Sequence, residues 1–136
     1  MLSKLALLFY YGITSRIRTS DNSDTIGVRL NRILVKRIFM YCGRQVIVKP
    51  LARFGRGSQV SIGDNSMIGE DCIIGSTAEV VIGHGVLMGP QVIIYTQNHG
   101  MALGIPMRLQ PACPAPVHIG DHCCPVKSRI DSVGWR

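Results

Sequence analysis

A histidine beside an asparagine, Asn98-His99, lies near the start of the longest interruption in this chain's repeat, Tyr95 to His118. An imidazole that titrates near neutral pH can take the proton from a hydroxyl as that hydroxyl attacks an electrophile. The plainer alternative for His99 is a loop histidine hydrogen-bonded for structure. Asn98 is placed to orient His99 or an acceptor, and a simple turn residue is an equal alternative. Arg108, in the run Ile-Pro-Met-Arg-Leu-Gln, can hold a phosphate or an acceptor, or pair on the surface. Asp71 can contact a polar ligand, or stand as an exposed turn carboxylate. Of the other histidines, His84 reads as solvated, and His118 and His122 as structural. Cys123-Cys124 with His118 and His122 superficially resembles a metal cluster. Adjacent cysteines do not easily share one tetrahedral ion, and no Cys-x-x-Cys occurs, so no metal is expected.

The elements that must position these groups come from the stretch Val60 to Tyr95, VSIGDNSMIGEDCIIGSTAEVVIGHGVLMGPQVIIY. An apolar residue followed by Gly recurs every six positions, which excludes a helix with its period of 3.6. Gly at that spacing also punctuates any single long strand. A solenoid of short strands and tight corners fits, with Gly tolerating unusual φ at the corners. The inward series is Val48, Phe54, Ile62, Ile68, Ile74, Ile82, Met88, Ile94, and its steps are 6, 8, 6, 6, 8, 6, 6. The two extra residues recur on every third side, at one corner of a triangular coil. The stretch from Tyr95 to His118 leaves at that same corner, and the repeat resumes at Ile119-Gly120. Insertions aligned on one edge of a solenoid mark its binding surface.

The segments IGDNSMIGEDCIIG, VVIGHGVLMGPQVIIYTQNHG, IPMRLQ and PVHIGD resemble the hexapeptide-repeat O-acetyltransferases, most nearly those acting on sugars and capsular or exopolysaccharides. The resemblance covers roughly residues 30 to 122. It implies an all-β fold, a left-handed parallel β-helix, assembled as a homotrimer with acetyl-CoA in grooves between subunits. It implies acetyl transfer to a sugar or polysaccharide hydroxyl, in capsule, exopolysaccharide or O-antigen synthesis. By the same resemblance His99 is the general base with Asn98 beside it. Asp71, expected one coil below His99, contacts the acceptor. Such a transfer needs no covalent enzyme intermediate, so the absence of a Gly-x-Ser-x-Gly motif is no objection. Backbone N–H groups of Gly-rich turns can serve the oxyanion.

Length and composition allow one domain. The net charge of +7 is lopsided: residues 1–56 carry 11 Lys/Arg against 2 Asp, and residues 57–136 carry 4 Lys/Arg against 6 Asp/Glu. The basic half is suited to anionic lipid or phosphorylated ligands, with weak membrane-surface association as one expectation. It lacks the interleaved aromatics of a stacking platform, so nucleic acid is not expected. Five cysteines without framework spacing argue for a reducing compartment, hence the cytoplasm. Leu5 to Tyr11 is too short to span a bilayer and lacks a convincing cleavage site. It is expected to cover the open end of the solenoid or rest on a partner subunit.

The domain reading is residues 1–43 as N-terminal segment, loop and helix, 44–123 as β-helix with an excursion over 95–118, and 124–136 as a non-repeat tail. The helix is expected over 28–41, with Leu30, Leu34, Ile38 and Tyr41 on one face and Gly43 stopping it. Residues 12–27 read as loop. The excursion, rich in Gly and Pro, reads as an irregular arm without strand or helix. After Ile119 the six-residue frame puts Pro125 and Asp131 inward, where proline cannot donate and a carboxylate would be buried unpaired. The β-helix is therefore expected to be incomplete at its C-terminal end, with about two coils and a fragment and about eight to twelve buried aliphatics, each contributing about 1.5–3 kcal/mol when fully buried. On that expectation the activity is doubtful, and a non-catalytic scaffold or defective remnant is the alternative.

Overall fold

The computed structural model describes residues 2–17, 26–126, 129–131 and 134–135. The repeat folds as the frame requires. Ile62, Ile68, Ile74, Ile82, Met88 and Ile94 are all fully buried, as are Val48 and Phe54. Their strands are β1 (Tyr41–Cys42), β2 (Ile47–Val48), β3 (Val60–Ile62), β4 (Met67–Ile68), β5 (Ile73–Gly75), β6 (Val80–Ile82) and β7 (Ile93–Tyr95). Then come β8 (Gln97–His99), β9 (Ala112–Pro114), β10 (Val117–Ile119), β11 (Arg129–Asp131) and β12 (Gly134–Trp135).

These strands form a parallel β-helix with three faces. The first face is β1-β3-β6-β10, with Cys42, Ile62, Ile82 and Ile119 in register. The second stacks β2 on β4, then Leu87, then residues 123–125: the N–H groups of Leu87 and Gly89 donate to the carbonyls of Cys123 and Pro125. The third runs from Arg53 through β5 and β7 to β11, and β12 lies antiparallel on β11. A second inward column lines each face two residues before the first, as in Val60, Val80 and Val117 or Ala52, Cys72 and Val92, all buried. The buried apolar residues, reaching from Ala6 to Ile130, outnumber the eight to twelve aliphatics expected.

Glycine's place at the corners has a different cause from the one expected. Gly63, Gly69 and Gly83 do not adopt positive φ; at the corners next to the first and second faces the residues that do are Gln45, Leu51, Asn65, Asp71, Gly85, Gln91 and His122, while Gly55, Gly57 and Gly104 do so elsewhere. A Cβ on Gly63 would stand 2.7 Å from the Gly83 carbonyl, and one on Gly69 would collide with the Gly89 carbonyl. Gly is needed because adjacent coils approach too closely at that point for any side chain. The left-handed residue follows two positions later and is mostly not Gly.

Two helices cover the N-terminal end, more than the short helical segment expected. In α1 (Leu2–Gly12), Tyr10 packs on Phe54 with ring centroids 4.7 Å apart, and its hydroxyl donates to the Ala52 carbonyl at 3.0 Å. The Tyr11 hydroxyl accepts the Phe54 N–H at 3.0 Å. In α2 (Ile26–Ile38) the buried face is Val28, Asn31, Val35 and Ile38. The expected face of Leu30, Leu34, Ile38 and Tyr41 is wrong: Leu30 is exposed, and Tyr41 already belongs to the first coil. The reason is that the end of a solenoid presents unpaired carbonyls as well as apolar surface. Asn31 donates to the Val48 carbonyl at 3.4 Å and Arg32 Nε to the Val46 carbonyl at 3.0 Å. A polar inward residue disguises the apolar period. The β-helix accordingly begins at Tyr41. Of the expected loop over 12–27, Thr14–Arg16 is a 310 turn, α2 already begins at Ile26, and residues 18–25 lie outside the described residues.

At the other end the repeat continues past Cys123, so the expected tail is a correction. Ile130, not Asp131, pairs with Ile94 and is buried. The step from Pro125 to Ile130 is five, one short of the frame, which brings an isoleucine inward. Pro125 is buried as the frame says. It lacks the donor that Met88 N–H supplies to Met67 one coil below, but its carbonyl still accepts from Gly89 at 2.7 Å. Among the described residues four coils are thus stacked where two and a fragment were expected. Among the described residues no helix is long and apolar enough to cross a membrane.

Candidate functional site

The corner after the third face collects the insertions: residues 55–59 in the first coil, 75–79 in the second, and the long arm in the third. The arm is more ordered than an irregular loop. β8 pairs antiparallel with β9, setting Asn98 opposite Cys113 and His99 opposite Ala112. Prolines at 111, 114 and 116 are tolerated because each can still accept: Gly100 N–H donates to the Pro111 carbonyl at 3.1 Å. Met107–Leu109 forms a 310 turn at the tip. Gln110, nearly buried, staples that tip: its amide accepts from Ala102 N–H at 2.8 Å and donates to the carbonyls of Ile105, 2.8 Å, and Ala102, 3.1 Å.

Thr96 fixes the arm's root. It is fully buried; its hydroxyl donates to the Gly75 carbonyl at 2.6 Å and accepts the Ala78 N–H at 2.9 Å. Ala115 N–H donates back to the Thr96 carbonyl at 2.9 Å, so both limbs of the arm meet at one residue. Three residues on, His99 stands exposed on β8, with Asn98 half-buried beside it. Neither Thr96 nor Gln110 has a chemical type that singles it out in sequence. Both act by satisfying backbone groups that only the folded arm exposes.

The four residues expected at the site do not converge within one chain. Asn98 and His99 share β8. Arg108 is exposed at the arm's tip. Asp71 lies at a different corner, between the second and third faces, where its N–H donates to the Pro50 carbonyl and Gln91, not His99, stands one coil above it. Its φ of 53° makes it a turn residue, and its carboxylate meets Arg53 at 3.4 Å across an exposed pair. Among the described residues no hydrogen bond or ion pair joins His99 to Asp71 or Arg108.

Two concavities flank the third face. One, of about 510 Å³, lies beneath the arm's root and is lined by Arg53, Arg56, Ser58, Gln59, Ser76 and Thr77. Two guanidiniums with hydroxyls and amides suit an anionic or polyhydroxylated group. The other, of about 460 Å³, runs along the second face past Lys49, Met67, Glu70, Leu87 and Val126. A ladder of hydrogen bonds holds the corner between the first and second faces. Arg44 N–H donates to Asp64 Oδ1 at 2.7 Å, Asp64 N–H to His84 Nδ1 at 3.0 Å, and His84 N–H to Asp121 Oδ1 at 2.7 Å. His84 is therefore a rung, not only a solvated side chain. Backbone and side-chain donors of Arg44 hold the Asp64 carboxyl below the usual carboxylate range.

No protein-family model matches the chain. In sequence it is similar to Nodulation protein L of two rhizobia. The Rhizobium leguminosarum bv. viciae protein is 31% identical over 99 residues, 64% of this chain and 52% of that protein. The Rhizobium meliloti (strain 1021) protein is 33% identical over 76 residues, 49% and 42% respectively. The chain spans about half the length of these curated relatives. In fold it matches a hexapeptide-repeat-containing acetyltransferase from Vibrio cholerae, with a TM-score of 0.69 at 20% identity over 96% of this chain and 76% of that one. That enzyme has also been seen complexed with acetyl coenzyme A. A maltose O-acetyltransferase from Clostridium difficile 630 matches with a TM-score of 0.63 at 23% identity, over 96% and 67%.

Proposed function

From this likeness to hexapeptide-repeat acetyltransferases in fold and to Nodulation protein L in sequence, we propose that the chain is an acetyl-CoA-dependent O-acetyltransferase acting on a sugar or polysaccharide hydroxyl. The observation that carries the reading is the place of His99: exposed on a hairpin arm that leaves the β-helix at its one insertion-bearing corner. The helix is read as left-handed, after the fold's relatives. In the reaction the acceptor oxygen attacks the thioester carbonyl and gives its proton to His99. The tetrahedral adduct then collapses, breaking the C–S bond, and the departing sulfur recovers the proton from His99. Backbone N–H groups at the Gly-rich corners serve the oxyanion. Asn98 orients His99 or the acceptor, Asp71 contacts the acceptor, and Arg108 holds a phosphate of the donor or the acceptor itself.

A homotrimer is part of this reading. Asp71 and Arg108 have no route to His99 within one chain, and a neighbouring subunit can supply it. The arm's tip also exposes Met101, Leu103, Ile105 and Leu109, apolar side chains that a partner's surface would cover. The five cysteines are all free, in keeping with a reducing, cytoplasmic setting. The scaffold or remnant alternative loses its main support with the fourth coil in place. The test is thiol release from acetyl-CoA with oligosaccharide acceptors. Loss of general-base catalysis in His99→Ala should lower kcat by about 10²–10⁴-fold. Unchanged turnover in that variant, or no acceptor-dependent thiol release from the unaltered protein, refutes the reading.

A further inference from the structure

The helix α1 is inverted relative to an ordinary surface helix. Its inner side, Ala6 and Tyr10, packs on the core. Its outer side carries Leu2, Leu5, Leu8 and Phe9, which are 67%, 53%, 71% and 57% exposed. At 100° per residue these four fall within about 120° of the helix circumference. A surface helix normally turns polar side chains to that arc. The apolar strip continues across to Ile33 of α2, 57% exposed, and the two helices enclose a groove lined by Leu2, Leu5, Phe9, Ile33 and Arg37.

Among the described residues the charge around this strip has one sign. Lys4, Lys36, Arg37 and Arg56 are exposed about it. Among the described residues up to Gly63 there is no Asp or Glu. We propose that the outer face of α1 and α2 docks on an anionic lipid bilayer, with the apolar strip in the acyl boundary and the cations among lipid phosphates. A second copy of the same face is a poor occupant, since it would set these cations against their own kind. An 11-residue helix is about 16 Å long, so α1 lies in the plane of the interface and does not span it. Apolar residues with a basic rim are the composition of such interfacial helices. Each cation near an anionic surface adds about fivefold to binding. This inference stands apart from the acyl-transfer reading, because none of its residues belongs to the arm, and Arg56, the one at a corner, is left unaltered in the variants that test it.

The test is flotation of the purified protein with phosphatidylglycerol-containing and pure phosphatidylcholine vesicles at low and high salt. The protein should float with the anionic vesicles and do so less at high salt. Leu5→Ser/Phe9→Ser should lower that binding at least about tenfold, and Lys36→Gln/Arg37→Gln should lower it and flatten the salt dependence. All four positions are exposed, so circular dichroism and thermal unfolding should be unchanged, and acetyl transfer to a soluble acceptor serves as a second readout of folding. Failure of the unaltered protein to float with anionic vesicles overturns the proposal, as does undiminished flotation of Leu5→Ser/Phe9→Ser. A shift of oligomeric state in that variant, with no vesicle binding by the parent, would assign the face to a protein contact and likewise overturn it.

Discussion

Thr96→Val removes a hydroxyl and keeps the shape of the side chain. The Thr96 hydroxyl is the acceptor for Ala78 N–H at 2.9 Å and the donor to the Gly75 carbonyl at 2.6 Å. The two lost bonds are not equal. The Gly75 carbonyl keeps a second donor, Thr96 N–H at 3.3 Å, whereas Ala78 N–H loses the acceptor it has in the fold. Leaving a donor unsatisfied costs about 1–3 kcal/mol where it is buried, and Ala78 N–H is part-buried, which favours the low end; the lost neutral bond to a carbonyl that retains a partner adds about 0.5–1.5 kcal/mol. Thr96→Val should therefore lose about 1.5–4.5 kcal/mol in urea unfolding. Thr96→Ser, which keeps the hydroxyl, should lose much less. Because Thr96 anchors both limbs of the arm, amide exchange at 97–99 and 112–114 should quicken in the valine variant while the first two coils stay protected. Under the proposed acyl transfer, turnover should fall with it. Equal stability of Thr96→Val and the parent, within about 0.5 kcal/mol, would refute the idea that this residue holds the arm.

Gly69→Ala should destabilise by about 1–3 kcal/mol, since its Cβ would meet the Gly89 backbone carbonyl, which cannot rotate away. Gly12→Ala, where an added Cβ meets nothing within 4 Å, is the control, and both are read by denaturant unfolding. The Asp64 carboxyl has its folded pKa held below the ordinary value by Arg44, so it adds stability above about pH 4, lost as pH falls through the folded value. Asp64→Asn should therefore lower stability at neutral pH and make it less sensitive to acid below about pH 4, as followed by urea midpoints from pH 3 to 7.

The coils were legible because a six-residue period with Ile inward has one physical solution, and the 6-6-8 steps located the corner from which the arm departs. Legibility failed where a residue serves backbone groups and not the core. Asn31 and Arg32 face inward because the first coil presents carbonyls to its cap, and that reversed the face assigned to α2. The same blindness hid the β8–β9 pairing, since prolines argue against strands until their free carbonyls are counted. Ile130 was missed because a strict frame cannot anticipate a corner one residue short. At the site, Asn98-His99 and the arm stood out by type and position. Thr96 and Gln110, which hold that arm, did not, and the expectation of Asp71 one coil below His99 fails because Gln91 lies above it at another corner.

Through the first three coils the register is twenty residues: Cys42 lies over Ile62, Ile62 over Ile82, and Ile74 over Ile94. Changes of length along the coils are therefore quantised. Removing or duplicating one whole turn of twenty leaves every later residue on its own face, with the same inward column. Removing six turns every later strand onto the neighbouring face, so that the short corners would have to accommodate the long insertions. Removing another number shifts the inward column unless a corner absorbs the change, as the short step from Pro125 to Ile130 does. The arm obeys a different rule, since Thr96 and Ala115 close it at the root and whatever lies between never enters the stack. Gene-level variation in such a chain should show both patterns, with whole turns gained or lost in the body and arbitrary lengths between 97 and 114.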